Sequence, residues 1–279
     1  MAQHPHGTKP HARSLRSSHP PTEDPREIAL PASVYGALSL ILRLVARDGY
    51  CWWMTGVIPA ARVLVVAGRL HAKNHVFLTP HHRRARRAAG LPVAHAVFGP
   101  RADVVDGEYV LPFALLATAP LPGERLQRVA SEVGRGDRAP IVWRDRYVLK
   151  QRPTGQWTWY LTEAAFQDYA AQLEAAVRRN DAPRVHAILD GLATLPLFHG
   201  VSSDASKLIK LAASQWAHRT RRSAGPKAKN LDVNQYLRRA RPRRGVGGRV
   251  YSHVQILTLQ DFHDNYANQS VPEHLRRAS

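Results

Sequence analysis

The first apolar run of the chain lies between Ser33 and Arg47 and predicts a helix. A serine and Arg43 interrupt its apolar residues, and Asp48-Gly49 follows as a stop signal. Because a membrane span needs about 20 predominantly apolar residues, we expect a buried or half-buried helix without stable membrane insertion. An amphipathic membrane anchor over the same residues is the alternative. Residues 1–30 are rich in His, Pro and Ser and predict a disordered N-terminal tail.

Beyond residue 49 the pattern alternates between strand-like and helix-like segments. Aromatic and β-branched runs predict strands, and apolar residues spaced three and four apart predict helices. Pro-Thr-Gly at 153–155 predicts a hairpin turn. With one extra hairpin strand, this is the βαββαβ order of ferredoxin-like domains, which we assign to residues 31–161. The predicted strands are 50–58, 91–99, 109–118, 140–152 and 156–162, and the predicted helices are 59–74 and 123–134.

The chain from Thr162 onward has a mainly helical pattern. Thr162 and Asp181 are suited to cap the first two helices, and a third helix is predicted over about 203–222. The apolar face of that third helix is predicted to hold Leu208, Leu211, Ala212 and Trp216. The predicted fold class is therefore α+β, with a ferredoxin-like sheet domain, a basic and mainly helical region over 162–260, and a C-terminal tail over 261–279.

The charge balance changes this picture. Lys and Arg number 40 against 21 Asp and Glu, which gives a net charge of +19, and a chain this basic usually has a polyanionic partner. Acidic residues are absent between Arg83 and Arg101 and between Lys207 and Lys229. Solvated faces usually mix charges of both signs, so we favour phosphate contacts over merely solvated surfaces. The candidate nucleic-acid-binding residues are Arg83, Arg84, Arg86, Arg87, Lys207, Lys210, Arg221, Arg222, Lys227, Lys229, Arg238, Arg239, Arg241, Arg243, Arg244 and Arg249.

The most basic stretch, at 237–251, also contains three glycines. Gly245, Gly247 and Gly248 lead directly into an apolar run, and a glycine-rich turn before a strand allows close approach of the backbone to a ligand. We therefore expect this stretch to lie against a folded surface. A loose basic arm that becomes ordered on binding is the competing interpretation.

Aromatic residues are a second candidate contact for nucleic acid. Trp157 and Trp159 share one face of the predicted hairpin, whereas Trp52 and Trp53 lie on opposite faces of the first predicted strand. An exposed aromatic ring that stacks on a base contributes about 1–3 kcal/mol. We expect most of these tryptophans to lie in the core instead, which for the first strand requires helices on both sides of the sheet.

Signals of enzymatic chemistry are weak. His71 and His75 have the spacing of two ligands on one helix face, but no paired cysteines or HExxH motif accompany them. Asp103, Asp106 and Glu108 are better explained as a polar turn than as a nuclease site. The sequence contains no P-loop, GxGxxG or GxSxG motif, so we expect no metal and no other cofactor. A metal-independent ribonuclease, which needs only a His or Lys base and a cation beside the phosphate, stays open.

The predicted strand order, together with RRGVGGRVYSHV at 243–254, resembles CRISPR repeat-RNA endonucleases. Those enzymes have ferredoxin-like domains and a C-terminal glycine-rich loop that contacts RNA. The resemblance implies an endoribonuclease but identifies no catalytic residue in this sequence, because the glycines here are less regularly spaced and no second complete ferredoxin-like unit follows Thr162.

The main functional hypothesis is a nucleic-acid-binding protein, for RNA or DNA, in a ribonucleoprotein or mobile-element complex with other proteins. The alternatives are a metal-independent endoribonuclease and a peripheral membrane or scaffold protein. Cys51 is the only cysteine, which excludes an internal disulfide and fits a reducing, cytoplasmic location.

Overall fold

The computed structural model describes residues 24–130, 137–224, 232–240 and 257–272 as a mixed α+β protein. The helices are α1 (Val34–Ala46), α2 (Val63–Asn74), α3 (Pro80–Ala88), α4 (Glu163–Arg178), α5 (Ala182–Ala193), α6 (His199–Ala224), α7 (Val233–Arg239) and α8 (Leu259–Tyr266). The strands are β1 (Trp52–Pro59), β2 (Ala94–Phe98), β3 (Asp103–Val105), β4 (Glu108–Ala117), β5 (Gln127–Val129), β6 (Arg138–Ala139), β7 (Val142–Trp143), β8 (Tyr147–Gln151) and β9 (Trp157–Leu161). None of the helices in these ranges combines the length and the apolar content that a membrane crossing requires.

The larger sheet has the strand order β2-β4-β1-β5-β6, and β3 pairs with β4. It is a mixed sheet, because β5 and β6 are parallel whereas the other pairs are antiparallel. Pro112 lies in the middle of β4, where a proline removes a ladder donor. Its carbonyl accepts from Gly99 N–H at 2.7 Å, so the missing N–H faces the point where the chain leaves β2. The β1–β4 ladder therefore stays intact from Trp52 to Pro59.

The predicted helix over 123–134 is wrong for its described part, residues 123–130, and residues 131–134 lie outside the described residues. Gln127–Val129 forms β5, which pairs with Trp52 and Trp53 of β1, and the Val129 N–H donates to the Cys51 carbonyl at 2.8 Å. This pairing satisfies backbone groups at an open sheet edge, and that long-range gain outweighs a local helical periodicity. The complete βαββαβ order is therefore not confirmed.

The predicted hairpin around 153–155 is confirmed, but it belongs to a separate three-stranded sheet, β7-β8-β9. The single strand predicted over 140–152 is divided into β7 and β8. Arg144 and Asp145 turn the chain between them, with φ values of 54° and 51°. The left-handed region is unfavourable for most side chains, so periodicity alone gave no indication of this turn.

Two hydrophobic clusters lie on either side of the larger sheet. The first unites α1, Trp53 of β1, the smaller sheet and helices α4–α7, and so includes residues from both sides of position 161. The second holds α2, the opposite face of β1 and Phe262 of α8. Both faces of β1 thus carry core residues under helices, as the aromatic pattern required. Helix α1 directs Ala37, Leu38, Ile41 and Leu44 into the first cluster.

This packing of α1 bears on the membrane-anchor alternative. Leu38 and Ile41 are fully buried, so the apolar face that such an anchor requires lies inside the protein. The helix itself is confirmed: it begins at Val34, and the Ser33 hydroxyl accepts from Gly36 N–H at 3.1 Å as an N-cap.

The capped helices after residue 161 are also confirmed. Thr162 and Asp181 accept backbone N–H groups at the starts of α4 and α5. Helix α6 begins at His199, earlier than predicted, and buries Leu208, Ala212 and Trp216. The prediction was wrong for Leu211, which is 38% exposed, because Ile209 occupies the core side of that turn instead.

The segments near the two ends of the described chain contact each other. Leu30 N–H donates to the Leu257 carbonyl at 2.7 Å, and Leu259 N–H donates to the Ile28 carbonyl at 3.0 Å. Leu30 is buried, and α8 extends to Tyr266, so both predicted tails include packed residues. Residues 1–23 and 273–279 lie outside the described residues.

Gly200 provides a test of how α6 packs on the smaller sheet. A Cβ at this position would overlap the Trp159 carbonyl and lie 2.7 Å from the Tyr160 ring. We expect Gly200→Ala to destabilise the protein by about 3 kcal/mol through overpacking, measured by urea unfolding. Gly191→Ala in α5 is the matched control, because nothing lies within 4 Å of its Cβ, and it is expected to be neutral or stabilising by up to about 1 kcal/mol. Equal stabilities of the two variants would contradict this packing.

Candidate nucleic-acid interface

Helix α3 carries four of the candidate arginines, and they have different surroundings. The helix buries no residue of its own. Arg83 Nη1 lies 2.8 Å from His95 Nδ1, Arg86 Nε donates to the Pro92 carbonyl at 3.3 Å, and the Arg87 guanidinium lies 4.9 Å above the Tyr50 ring. Arg84 is exposed and forms no ion pair with a described residue. Three arginines therefore contact residues of other elements, and Arg87 and Arg84 are both exposed.

Arginines of α3 lie near Tyr50, and arginines of both α1 and α3 lie near His95. Burial raises the pKa of the Tyr50 hydroxyl, and the charges of Arg87 and Arg83 oppose that rise. Burial lowers the pKa of His95 to about 3, and Arg83 and Arg43 lower it further. Arg83 thus acts on both side chains, together with Arg87 at Tyr50 and with Arg43 at His95. The Asp48 carboxylate lies 3.9 Å from Arg43 Nε.

A groove of about 660 Å³ lies between α1 and the β8–β9 hairpin. We call it the α1 groove. Tyr35 is 42% exposed and stacks on Phe198, with ring centroids 4.8 Å apart and an angle of 20° between the rings. Half-buried Trp157 and the exposed Arg43 and Arg47 also line the groove. This arrangement places an aromatic platform beside two cations, about 12 Å and 18 Å further along the helix.

The candidate residues predicted from the sequence did not include Tyr35, Arg43 or Arg47. The signal was present, because Tyr35, Ser39, Arg43 and Arg47 recur every four residues and such residues share a helix face. Trp157 belongs to the same groove, whereas Trp159 is fully buried as expected.

The candidate cations of α6 and α7 are partly compensated. Lys207 Nζ lies 3.0 Å from Asp204, and Arg239 Nη1 lies 2.6 Å from Asp190. Asp204 and Asp190 both precede Lys207 in the chain. The absence of acidic residues between Lys207 and Lys229 therefore does not leave Lys207 and Arg239 without acidic partners. Lys210 and Arg238 are exposed.

The side chains of the remaining candidate residues lie outside the described part of the chain. Arg221 and Arg222 belong to α6, but their side chains lie outside the described part of the chain. The same holds for the whole of Lys227, Lys229, Arg241, Arg243, Arg244 and Arg249, and for the three glycines of the basic stretch. The expectation that this stretch lies against a folded surface stays a prediction.

The sequence also offered His71 and His75 of α2, and the acidic turn between Asp103 and Glu108, as weak candidates for metal ligands. His71 Nδ1 accepts from Phe77 N–H at 3.2 Å, and its ring stacks on Phe77, so its contacts are those of a packed side chain. Within the described ranges, no three His, Cys, Asp or Glu residues are grouped to hold a metal. Asp106 and Gly107 have φ values of 50° and 76° and connect β3 to β4, the conformation of a tight Asp-Gly hairpin. Asp103 forms an ion pair with Arg144.

Comparison with known proteins adds no relative. The chain matches no protein-family model, and no significant similarity to a curated protein or to a solved structure is found.

The surroundings of His95 predict a dependence of stability on pH. Its pKa in the folded protein, about 3, is below the unfolded value of about 6.5. The folded state therefore favours neutral His95, and this contribution is complete above pH 6.5 and is lost as the pH falls towards 3. Relative to His95→Gln, the wild type should lose up to about 1.4 kcal/mol of unfolding free energy per pH unit between pH 6 and 4.

The measurement is urea unfolding of both proteins across that pH range. His81→Gln is the control, because His81 is exposed on α3, and this variant should keep the wild-type slope. Parallel pH profiles for wild type and His95→Gln would refute the prediction.

Proposed function

We propose that the protein binds nucleic acid, RNA or DNA, and that the α1 groove with the adjoining arginines of α3 forms the contact surface. The observation that carries this proposal is that an exposed, stacked tyrosine lines the same groove as Arg43 and Arg47, on a chain of net charge +19. Arginine pairs with phosphate oxygens in a bidentate geometry, and an aromatic ring stacks on any base.

The physical basis of the affinity is release of counterions from phosphates, which does not depend on sequence. Arg84 and Arg87 of α3, Lys210 of α6 and Arg238 of α7 are exposed and would extend the contact beyond the groove. The arginines of 241–249 belong to the proposal as further phosphate contacts. A cytoplasmic ribonucleoprotein or a mobile-element complex is the setting that we propose.

We also propose that the larger sheet is a ferredoxin-like unit without its second helix. The supporting feature is the antiparallel arrangement β2-β4-β1-β5, in which β1 lies between β4 and β5 and α2–α3 connect β1 to β2. The basic helices α6 and α7 follow this unit in the chain.

The first test is fluorescence anisotropy of single-stranded RNA, single-stranded DNA and duplex DNA of about 12 nucleotides, across a salt series in EDTA. Binding should weaken steeply with salt. The double variant Arg43→Gln/Arg47→Gln should bind single strands more weakly and lower the salt slope by about 1.4, or 0.7 for each phosphate that no longer pairs with an arginine.

Arg178→Gln/Arg184→Gln, on α4 and α5, removes the same net charge from residues outside the groove. An equal loss of affinity in this control would show that only net charge matters and would remove the groove from the proposal. Gel analysis of the same samples tests the endoribonuclease hypothesis, because discrete RNA cuts in EDTA would favour metal-independent cleavage.

The second test concerns stacking on Tyr35. Tyr35→Ala should weaken single-strand binding by about 1–3 kcal/mol while leaving the salt slope unchanged, because every arginine that pairs with a phosphate is still present. Tyr35→Phe keeps the ring and should bind like wild type. Thermal unfolding of both variants checks that the contact with Phe198 is not needed for folding. Unchanged affinity in Tyr35→Ala would exclude base stacking at this position.

A further inference from the structure

A second cavity lies behind α3, on the side of Arg83. It has a volume of about 200 Å³, and its walls include Ile28, Leu40, Phe77 and Phe98. We call it the α3 pocket. It shares no lining residue with the α1 groove. We propose that the α3 pocket binds a small monocarboxylic acid with an apolar body.

The polar side chains that line the pocket are those of Arg83 and His95. A guanidinium can only donate hydrogen bonds, so His95 Nδ1 must accept from Arg83 Nη1 across their 2.8 Å contact, and the imidazole is neutral. The lowered pKa of His95 agrees with this protonation state. Arg83 therefore keeps its full positive charge in the wall of the pocket.

Among the described residues, no carboxylate lines the pocket to balance that charge. Arg83 is itself half-buried. A guanidinium that has lost part of its hydration is stabilised by an anionic partner. The planar donors that His95 leaves unused match the two oxygens of a carboxylate.

The remaining walls limit the rest of the ligand. They are apolar apart from backbone groups, so a second charge on the ligand would be desolvated without a partner. A volume of 200 Å³ equals that of about six or seven liquid waters. The space therefore fits an aliphatic acid of about four to six carbons, with its carboxylate on Arg83 and its chain against Phe77 and Phe98.

The test is a titration of the ¹⁵N-labelled full-length protein with hexanoate, followed by amide NMR shifts. Hexanol and hexylammonium are the matched probes, with the same chain and no charge or the opposite charge. We expect hexanoate to shift the amides of Phe77, Val97 and Phe98 and to bind at least tenfold more tightly than hexanol. Hexylammonium should not bind there.

Arg83→Gln should lose at least tenfold in hexanoate affinity, whereas Arg84→Gln, one residue away on the same helix, should keep it. Equal affinity for hexanoate and hexanol in the wild type would reduce the site to an apolar cavity and overturn the proposal, even if Arg83→Gln failed to fold. Shifts confined to other residues, or no binding of hexanoate at millimolar concentration, would also overturn it. Nucleic-acid binding does not enter this test, so the two proposals fail independently.

Discussion

The buried indole of Trp159 is the contact on which the candidate interface depends. It lies fully buried where α1, the smaller sheet and α6 meet, and its Nε1 donates to the Leu38 carbonyl at 2.9 Å. The Trp159 carbonyl lies directly against Gly200. A large aromatic side chain with its polar atom satisfied adds substantially to core stability. Three residues that line the α1 groove, Tyr35, Trp157 and Phe198, lie within three positions of Leu38, Trp159 and Gly200, respectively.

Local signals in the sequence predicted much of this fold, for physical reasons that can be named. Helices α4 and α5 have a hydroxyl and a carboxylate cap, and caps act within a few residues of the chain. The hairpin at 153–155 has a turn chemistry of its own. The errors arose where distant residues decide the conformation: β5 forms because β1 offers an unpaired edge 74 residues earlier in the chain, and a turn with positive φ at Arg144 interrupts a run that reads as one strand.

The positive charge of the candidate site could be predicted from the sequence, but the positions of its side chains could not. The excess of arginine and the absence of neighbouring acids in α3 could be seen in the sequence. Which arginine points inward depends on His95, Tyr50 and Pro92, which come from other elements. The partners of Lys207 and Arg239 likewise lie outside the basic runs. Tyr35 and Arg47 were overlooked because α1 was judged by its apolar face, although its polar face lines the groove.

The contact between Leu30 and Leu257 determines how far the most basic segment can extend. Residues 241–256 join Ala240, which is fully buried and accepts a hydrogen bond from Ser202, to Leu257, whose carbonyl Leu30 holds. The segment therefore starts and ends at points fixed on the protein. Arg249, the arginine furthest along the chain from both points, is eight residues from Leu257, and eight residues of fully extended backbone span at most about 28 Å. Covalent attachment at both points gives these arginines an effective concentration, relative to the folded protein, that dilution cannot lower.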